Sequence, residues 1–268
     1  MSPKLLLRST FFSFVMLIIW GLFNTMLNGS VWEGMTISQS AVKVEYCEFN
    51  HAEKLFHQPM NTYSNIAYFF FGVLILLMAF EDYKNKGQNT LNRLQQFPLL
   101  SALMGFCFIY LSFGSALFHA SLTWVGQRVD MNGTYSISLA LLSIGLYHVL
   151  HKTDFTNQVK NIWIMAFGVL ILAFYKVHLM VSSGILLPVL ILLNLSLTVI
   201  TYFQFRKERS ILWVISSLVL MVIAVKIRTL DVQKIGCDPY SLYQGHSVWH
   251  LLTAISSFCS YAFFRFTN

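Results

Sequence analysis

Two histidines four residues apart, His246 and His250, open the last apolar stretch of this 268-residue chain. Ser115 and His119 are also four apart, at the end of another apolar stretch, and Asp130 follows eleven residues later. Residues at i and i+4 share one face of a helix. Ionisable groups within apolar spans are costly and mark functional sites by default. Three neutral imidazoles suit zinc with a water as fourth ligand, and an open position marks a catalytic rather than a structural site. Zinc lowers the pKa of its water to about 7. A carboxylate such as Asp130 can accept that water's proton. A hydroxyl such as Ser115 can donate a hydrogen bond to a developing oxyanion. The chemistry is attack of a zinc-activated water on a carbonyl. The competing reading is plainer: an isolated H-x-x-x-H pair at the end of a span can simply rest in the membrane interface.

What would bring these residues together is a set of membrane helices. The chain is 56% hydrophobic and 11% charged, where soluble domains carry roughly 25% charged residues. Its mean hydropathy is +0.61. Such a chain cannot cover a water-facing surface and needs lipid as solvent. Eight apolar stretches reach spanning length, near 9–28, 62–80, 97–118, 130–150, 161–177, 179–203, 210–227 and 247–266. The expected fold is an all-α polytopic bundle: a seven-span core plus one extra N-terminal span. Residues 1–28 form a retained anchor, with a signal peptide as the alternative, and 29–268 form a single domain.

With the N-terminus inside, Lys4, Arg8, Lys84, Lys86, Arg93, Lys152, Lys160, Arg206, Lys207, Arg209 and Arg265 fall on the inner side. The smaller share of the 18 Lys and Arg residues then falls outside, as the positive-inside rule favours. The net charge of +7 therefore reads as topology, not as nucleic-acid binding. Five polar residues from three distant stretches (Ser115, His119, Asp130, His246 and His250) reach the outer end of the bundle. His51 and His57, in the outer loop, are alternative ligands read as solvated. His178 is placed in a short outer turn, and His148 and His151 at the inner end.

The outer loop also carries Glu45-Tyr46-Cys47-Glu48-Phe49-Asn50. Oxygen-bearing Glu45, Glu48 and Asn50 could serve calcium, which takes six to eight oxygens including backbone carbonyls; a solvated turn is the alternative. Cys47 shares the outer side with Cys237, an oxidising compartment where a disulfide can persist. Cys107 and Cys259 lie inside spans and read as small buried apolar groups.

The order C-E-x-N, N-T-x-S-N, S-x-x-x-H, Asp130 and H-x-x-x-H resembles the alkaline ceramidases. They belong to a wider group of seven-span membrane hydrolases that includes adiponectin- and progestin-type receptors. The resemblance implies His119, His246 and His250 as zinc ligands, Ser115 for oxyanion stabilisation and Asp130 for proton transfer. It implies calcium on Glu45, the Tyr46 carbonyl, Glu48 and Asn50, and a Cys47–Cys237 disulfide. Three features depart from the pattern. Glu45-Tyr46 stands where the family has Asp-Trp, Gln58 stands where it has Glu, and the N-terminal span is additional.

The expected function is zinc-dependent hydrolysis of the amide bond of ceramide-like lipids, giving a fatty acid and a sphingoid base. Two alternatives remain: hydrolysis of another lipid amide or ester, and a non-catalytic lipid receptor with a structural zinc site. A transporter is disfavoured, because paired repeats and broken helices near the midplane are absent from the sequence pattern.

Overall fold

The computed structural model describes residues 2–85 and 92–267, apart from the His178 side chain. Among them the chain is helical, with two isolated β-bridges and no strands. The helices are α1 (Pro3–Met26), α2 (Gln39–Val42), α3 (Pro59–Ser64), α4 (Ile66–Lys84), α5 (Pro98–Ser121), α6 (Trp124–Val149), α7 (Asn157–Met180), α8 (Ser183–Gln204), α9 (Ile211–Val232) and α10 (Gly245–Arg265). Every expected apolar stretch lies in a long helix. The second is divided at Asn65, between α3 and α4. His178 belongs to the last turn of α7, and the turn falls instead at Val181 and Ser182. Lys86, assigned to the inner loop by charge, lies outside the described residues.

Six helical segments combine the length and hydropathy needed to cross a membrane: α1, α3–α4, α5, α7, α8 and α9. The chain is a multi-pass membrane protein. α6 and α10 are long enough, at 26 and 21 residues, but their Ser, Asn, Tyr and His residues make them less apolar. They can afford this because they are interior: Tyr135, Ser136, Ile144, Tyr261 and Phe263 are all fully buried. By contrast α7, α8 and α9 turn large apolar side chains outward, with Leu172 73%, Leu192 62% and Val222 69% exposed. These faces suit lipid.

The bundle is organised around α5, which packs between α4 and α6, while α10 packs on α9, α3 and α4. Leu74, Ile75, Leu100, Met104 and Phe108 fill the shared core. Small residues set the spacing. A Cβ on Gly72 or on Gly105 would lie 2.9 Å from the other's carbonyl oxygen, so both must be Gly for α4 and α5 to approach this closely.

Several basic residues expected at the inner end cap helices there. Arg209 donates to the Phe263 and Phe264 carbonyls at 3.1 and 2.6 Å, and Arg93 donates to Tyr147 and Leu150 carbonyls at 3.0 Å. Cations at helix C-termini satisfy orphan carbonyls and oppose the dipole. Arg265 forms a buried ion pair with Asp82 at 2.7 Å.

Candidate metal centre

Two local devices bring the chemistry-bearing residues to one end of the bundle. The first joins α5 to α6. Leu122 ends α5 in the left-handed conformation (φ 52°), and the Thr123 hydroxyl accepts from Gly126 N to start α6. The turn has only these two residues. It is pinned from outside by Ser38 N donating to Leu122 O at 2.9 Å and Trp124 N donating to Thr36 O at 2.7 Å. His119 and Asp130 thereby sit on adjacent antiparallel helices. The second device starts α10. The buried Asp231 carboxylate accepts from His246 N at 3.2 Å and from Cys47 N at 3.1 Å. A carboxylate at a helix N-terminus satisfies an orphan N–H and complements the dipole.

His119, His246 and His250 are buried, and their candidate ligand atoms all lie within 4.8 Å of one another. The Nε2 atoms of His119 and His246 are 3.2 Å apart. Hydrogen bonding fixes two of the tautomers. His119 Nδ1 lies 2.8 Å from Gln58 Oε1, an atom that only accepts, so Nδ1 carries the proton and Nε2 is bare. Gln58 is oriented by its own amide, which donates to Asn50 Oδ1 at 2.7 Å. His250 Nδ1 lies 2.7 Å from Ser64 Oγ, and Ser64 gives its hydroxyl proton to Asn61 O at 2.9 Å. The serine oxygen therefore accepts from Nδ1, and His250 also presents a bare Nε2. Among the described residues, His246 Nδ1 is buried with no hydrogen-bond partner. Partners of this kind on the far nitrogen are the usual support for metal-binding imidazoles. The donor set fits a metal ion.

Beside the histidines lies a cavity of about 330 Å³, lined by Ser115, Asp130, Tyr46, Arg228, Leu187 and Trp249 among others. Ser115 and Asp130 share the wall of this cavity. The Tyr46 ring packs on the His246 ring with centroids 3.9 Å apart and meets the His119 ring edge-on at 5.4 Å. A second cavity of about 120 Å³ lies further along the same helices, with Ile137, Leu141, Ile191 and Phe264 on its wall. The three histidines, Ser115 and Asp130 are thus grouped at one end of the bundle. His51 and His57 stand apart from them. His51 pairs with Glu53 at 3.2 Å. His57 is half-buried rather than solvated, and burial lowers its pKa. His148 is buried at the other end of α6, with Nδ1 on Ile144 O at 2.9 Å.

The oxygens suggested for calcium have other partners. Glu45 Oε1 accepts from Arg228 at 3.2 Å. The Tyr46 carbonyl accepts from the Lys234 ammonium. Glu48 accepts from Met60 N at 2.6 Å and Asn61 N at 2.8 Å. Its burial pushes the carboxyl pKa up to about 7 against the lowering effect of those two donors. Asn50 Oδ1 is taken by Gln58. An ammonium on one proposed ligand and a guanidinium on another leave this loop a poor fit for a divalent cation. Cys47 and Cys237 are joined by a disulfide, with Cα atoms 5.7 Å apart.

Sequence reasoning overlooked three contributors. Ser64 lies inside the N-T-x-S-N motif, which was its only signal. The Tyr46 ring and the Asp231–Cys47 bond had none, because their partners are distant in sequence.

A multi-pass helical bundle with a buried three-histidine group beside a serine–aspartate pair defines a class: a membrane protein built for hydrolytic chemistry. A family model described as Ceramidase matches residues 38–268, and the chain belongs to that family. Membership implies hydrolysis of the ceramide amide bond. No curated protein and no solved structure matches the chain.

Proposed function

We propose that the chain hydrolyses the amide of ceramide-like lipids within the membrane, with zinc held by His119, His246 and His250. The observation that carries this reading is the buried three-imidazole group opening onto the cavity that also presents Ser115 and Asp130. When bound, zinc acidifies a water to a pKa of about 7 and polarises a carbonyl. The chain supplies the rest. The Asp130 carboxylate accepts the proton of the attacking water. In this reading the Ser115 hydroxyl first donates a hydrogen bond to that carboxylate, across the cavity that both residues line. Once Asp130 is protonated, its O–H can donate to Ser115 Oγ, and the serine proton is free to turn toward the oxyanion. As the C–N bond breaks, Asp130 returns its proton to the leaving amine. The products are a fatty acid and a sphingoid base.

The apolar walls formed by Leu111, Met131 and Leu187 suit a lipid chain. In this reading residues 29–268 are the hydrolase domain and 1–28 an added span. The site faces the extracytoplasmic or lumenal side, with the N-terminus in the cytoplasm. The Cys47–Cys237 disulfide supports an oxidising compartment at this end.

The test is fatty-acid release from a ceramide panel by detergent-purified protein, with metal content measured in parallel. Metal removal and His250→Ala are expected to abolish both zinc and turnover. Asp130→Asn should keep zinc and lose about 10²–10⁴-fold in kcat, and Ser115→Ala about 10²–10³-fold. Unchanged turnover in Asp130→Asn, or zinc-replete protein that releases no fatty acid, would overturn the reading.

A further inference from the structure

Two basic side chains converge on the loop Glu45–Asn50 from the α9 end of the bundle. Lys234 follows α9 in the left-handed conformation (φ 59°), and Gly236 adopts φ 68°. Lys234 N donates to Asp231 O at 3.0 Å and Ile235 N to Leu230 O at 3.0 Å, which closes α9 and reverses the chain. The reversal sends two side chains to consecutive residues of the loop. The Lys234 ammonium meets the Tyr46 carbonyl, and Cys237 bonds Cys47. One turn earlier in α9, Arg228 reaches Glu45 at 3.2 Å. Asp231 completes the attachment through Cys47 N.

We infer that Lys234, assisted by Arg228, is a built-in cation that organises this loop in place of a bound divalent ion, so that the loop holds its conformation without calcium. The chemistry of the donors is the argument. A loop of carboxylates and carbonyl oxygens needs positive charge to hold it together. Calcium would supply two charges to six or more oxygens. Here Lys234 and Arg228 supply two charges from covalently attached side chains, at one carbonyl and one carboxylate. Glu48 is satisfied by two backbone N–H groups, and the neutral Gln58 ties Asn50 to His119. Burial lowers the pKa of the ammonium, and Asp231 and Glu45 oppose that lowering. An ion added to this set would have to displace an ammonium from the Tyr46 carbonyl.

The consequence reaches the metal centre. Tyr46 is buried with its ring against His246 and His119. Lys234 holds the backbone carbonyl of that same residue. It is therefore a positioning residue for the wall of the histidine group and touches none of the reacting atoms.

The test is calcium titration of the detergent-purified full chain, followed by calorimetry and by thermal unfolding, with magnesium as control. No heat of calcium binding and no calcium-dependent change in Tm are expected for the unmodified protein at concentrations of about 1 mM, where weak sites fill. Chelation of calcium should leave Tm unchanged as well. Lys234→Met should lower Tm by several degrees, whereas Lys234→Arg, which keeps the charge, should retain most of it. Should Lys234→Met not fold, the arginine variant and the titration of the unmodified protein still decide. A saturable calcium-specific rise in Tm of the unmodified chain, or a Lys234→Met variant as stable as it, would overturn the inference. Neither readout depends on turnover, so the result stands apart from the assignment of the substrate.

Discussion

Ser64 shows how a neutral side chain can decide what a histidine does. By passing its own proton to Asn61 O, it leaves its oxygen to accept from His250 Nδ1, and the bare Nε2 faces the histidine group. Gln58 does the same for His119. An acceptor on the far nitrogen both fixes the tautomer and orients the ring, and losing such a partner costs about 10–100-fold in metal affinity. Ser64→Ala is therefore expected to weaken zinc binding by that factor, read by competition with a chelator of known affinity. The turnover per bound zinc should stay close to that of the unmodified enzyme. Unaltered affinity would mean that the ring is held by packing alone. Gln58 carries a further point. A carboxylate there would add charge to the loop and to His119, and the amide adds neither. This is consistent with a loop organised by Lys234.

At the scale of elements, α1 is more than an appendage. The matched family region begins at residue 38, yet α1 packs along α4 and buries Trp20. Its C-terminal end and the turn after it grip the segment 51–58. Asn24 Oδ1 accepts from Phe56 N at 2.9 Å, Trp32 Nε1 donates to Leu55 O at 2.8 Å, and Gly29 N donates to Glu53 O at 3.1 Å. Gly29 must be glycine, since a Cβ there would fall 1.9 Å from Ala52 O. The gripped segment ends in Gln58, whose N–H donates to His119 O at 3.0 Å. A chain of contacts thus runs from the first span to a histidine of the centre. Asn24→Ala should destabilise the protein by about 1 kcal/mol through the unsatisfied Phe56 N–H. Removal of residues 2–28 should lower Tm further and weaken zinc binding, as measured on the purified proteins. A truncated protein with unaltered Tm and zinc affinity would show that α1 serves only as an anchor.

For the whole molecule, the arrangement of helices determines how a lipid could reach a buried site. α8 packs on α6, and α9 packs on α10, and the cavity beside the histidines takes lining residues from both α8 and α9. Gly184, near the start of α8, lines that cavity. Among the described residues, the one atom within 4 Å of a Cβ placed there is Ser182 Oγ at 3.9 Å, so a larger side chain fits without distorting the helix. Gly184→Trp should obstruct the cavity. The expected result is a raised KM for long-chain ceramide with zinc content and Tm unaltered, which assigns the loss to substrate binding. An unchanged KM would place the substrate path elsewhere in the bundle.

Much of this was legible in the amino-acid sequence because membrane helices are written in long apolar runs. A polar residue inside such a run is conspicuous by its cost. Spacing of four put Ser115 with His119 and His246 with His250, and counting spans put both pairs at one end of the bundle. The motif order pointed to the family. Hydrophobicity alone could not separate spans that face lipid from spans that face the interior, so α6 and α10, the less apolar pair, drew their importance from the residues they carry. What the tertiary structure decided were the partnerships. The pairing of Ser64 with His250, the bond from Cys47 N to Asp231, and the presence of Lys234 on a loop that reads as a calcium site all join residues far apart in the chain. A loop of oxygens reads the same in sequence whether its counter-charge is a metal ion or a lysine delivered from nearly two hundred residues away. Only folding brings that charge into place, because the attraction depends on distance in space and not on distance along the chain.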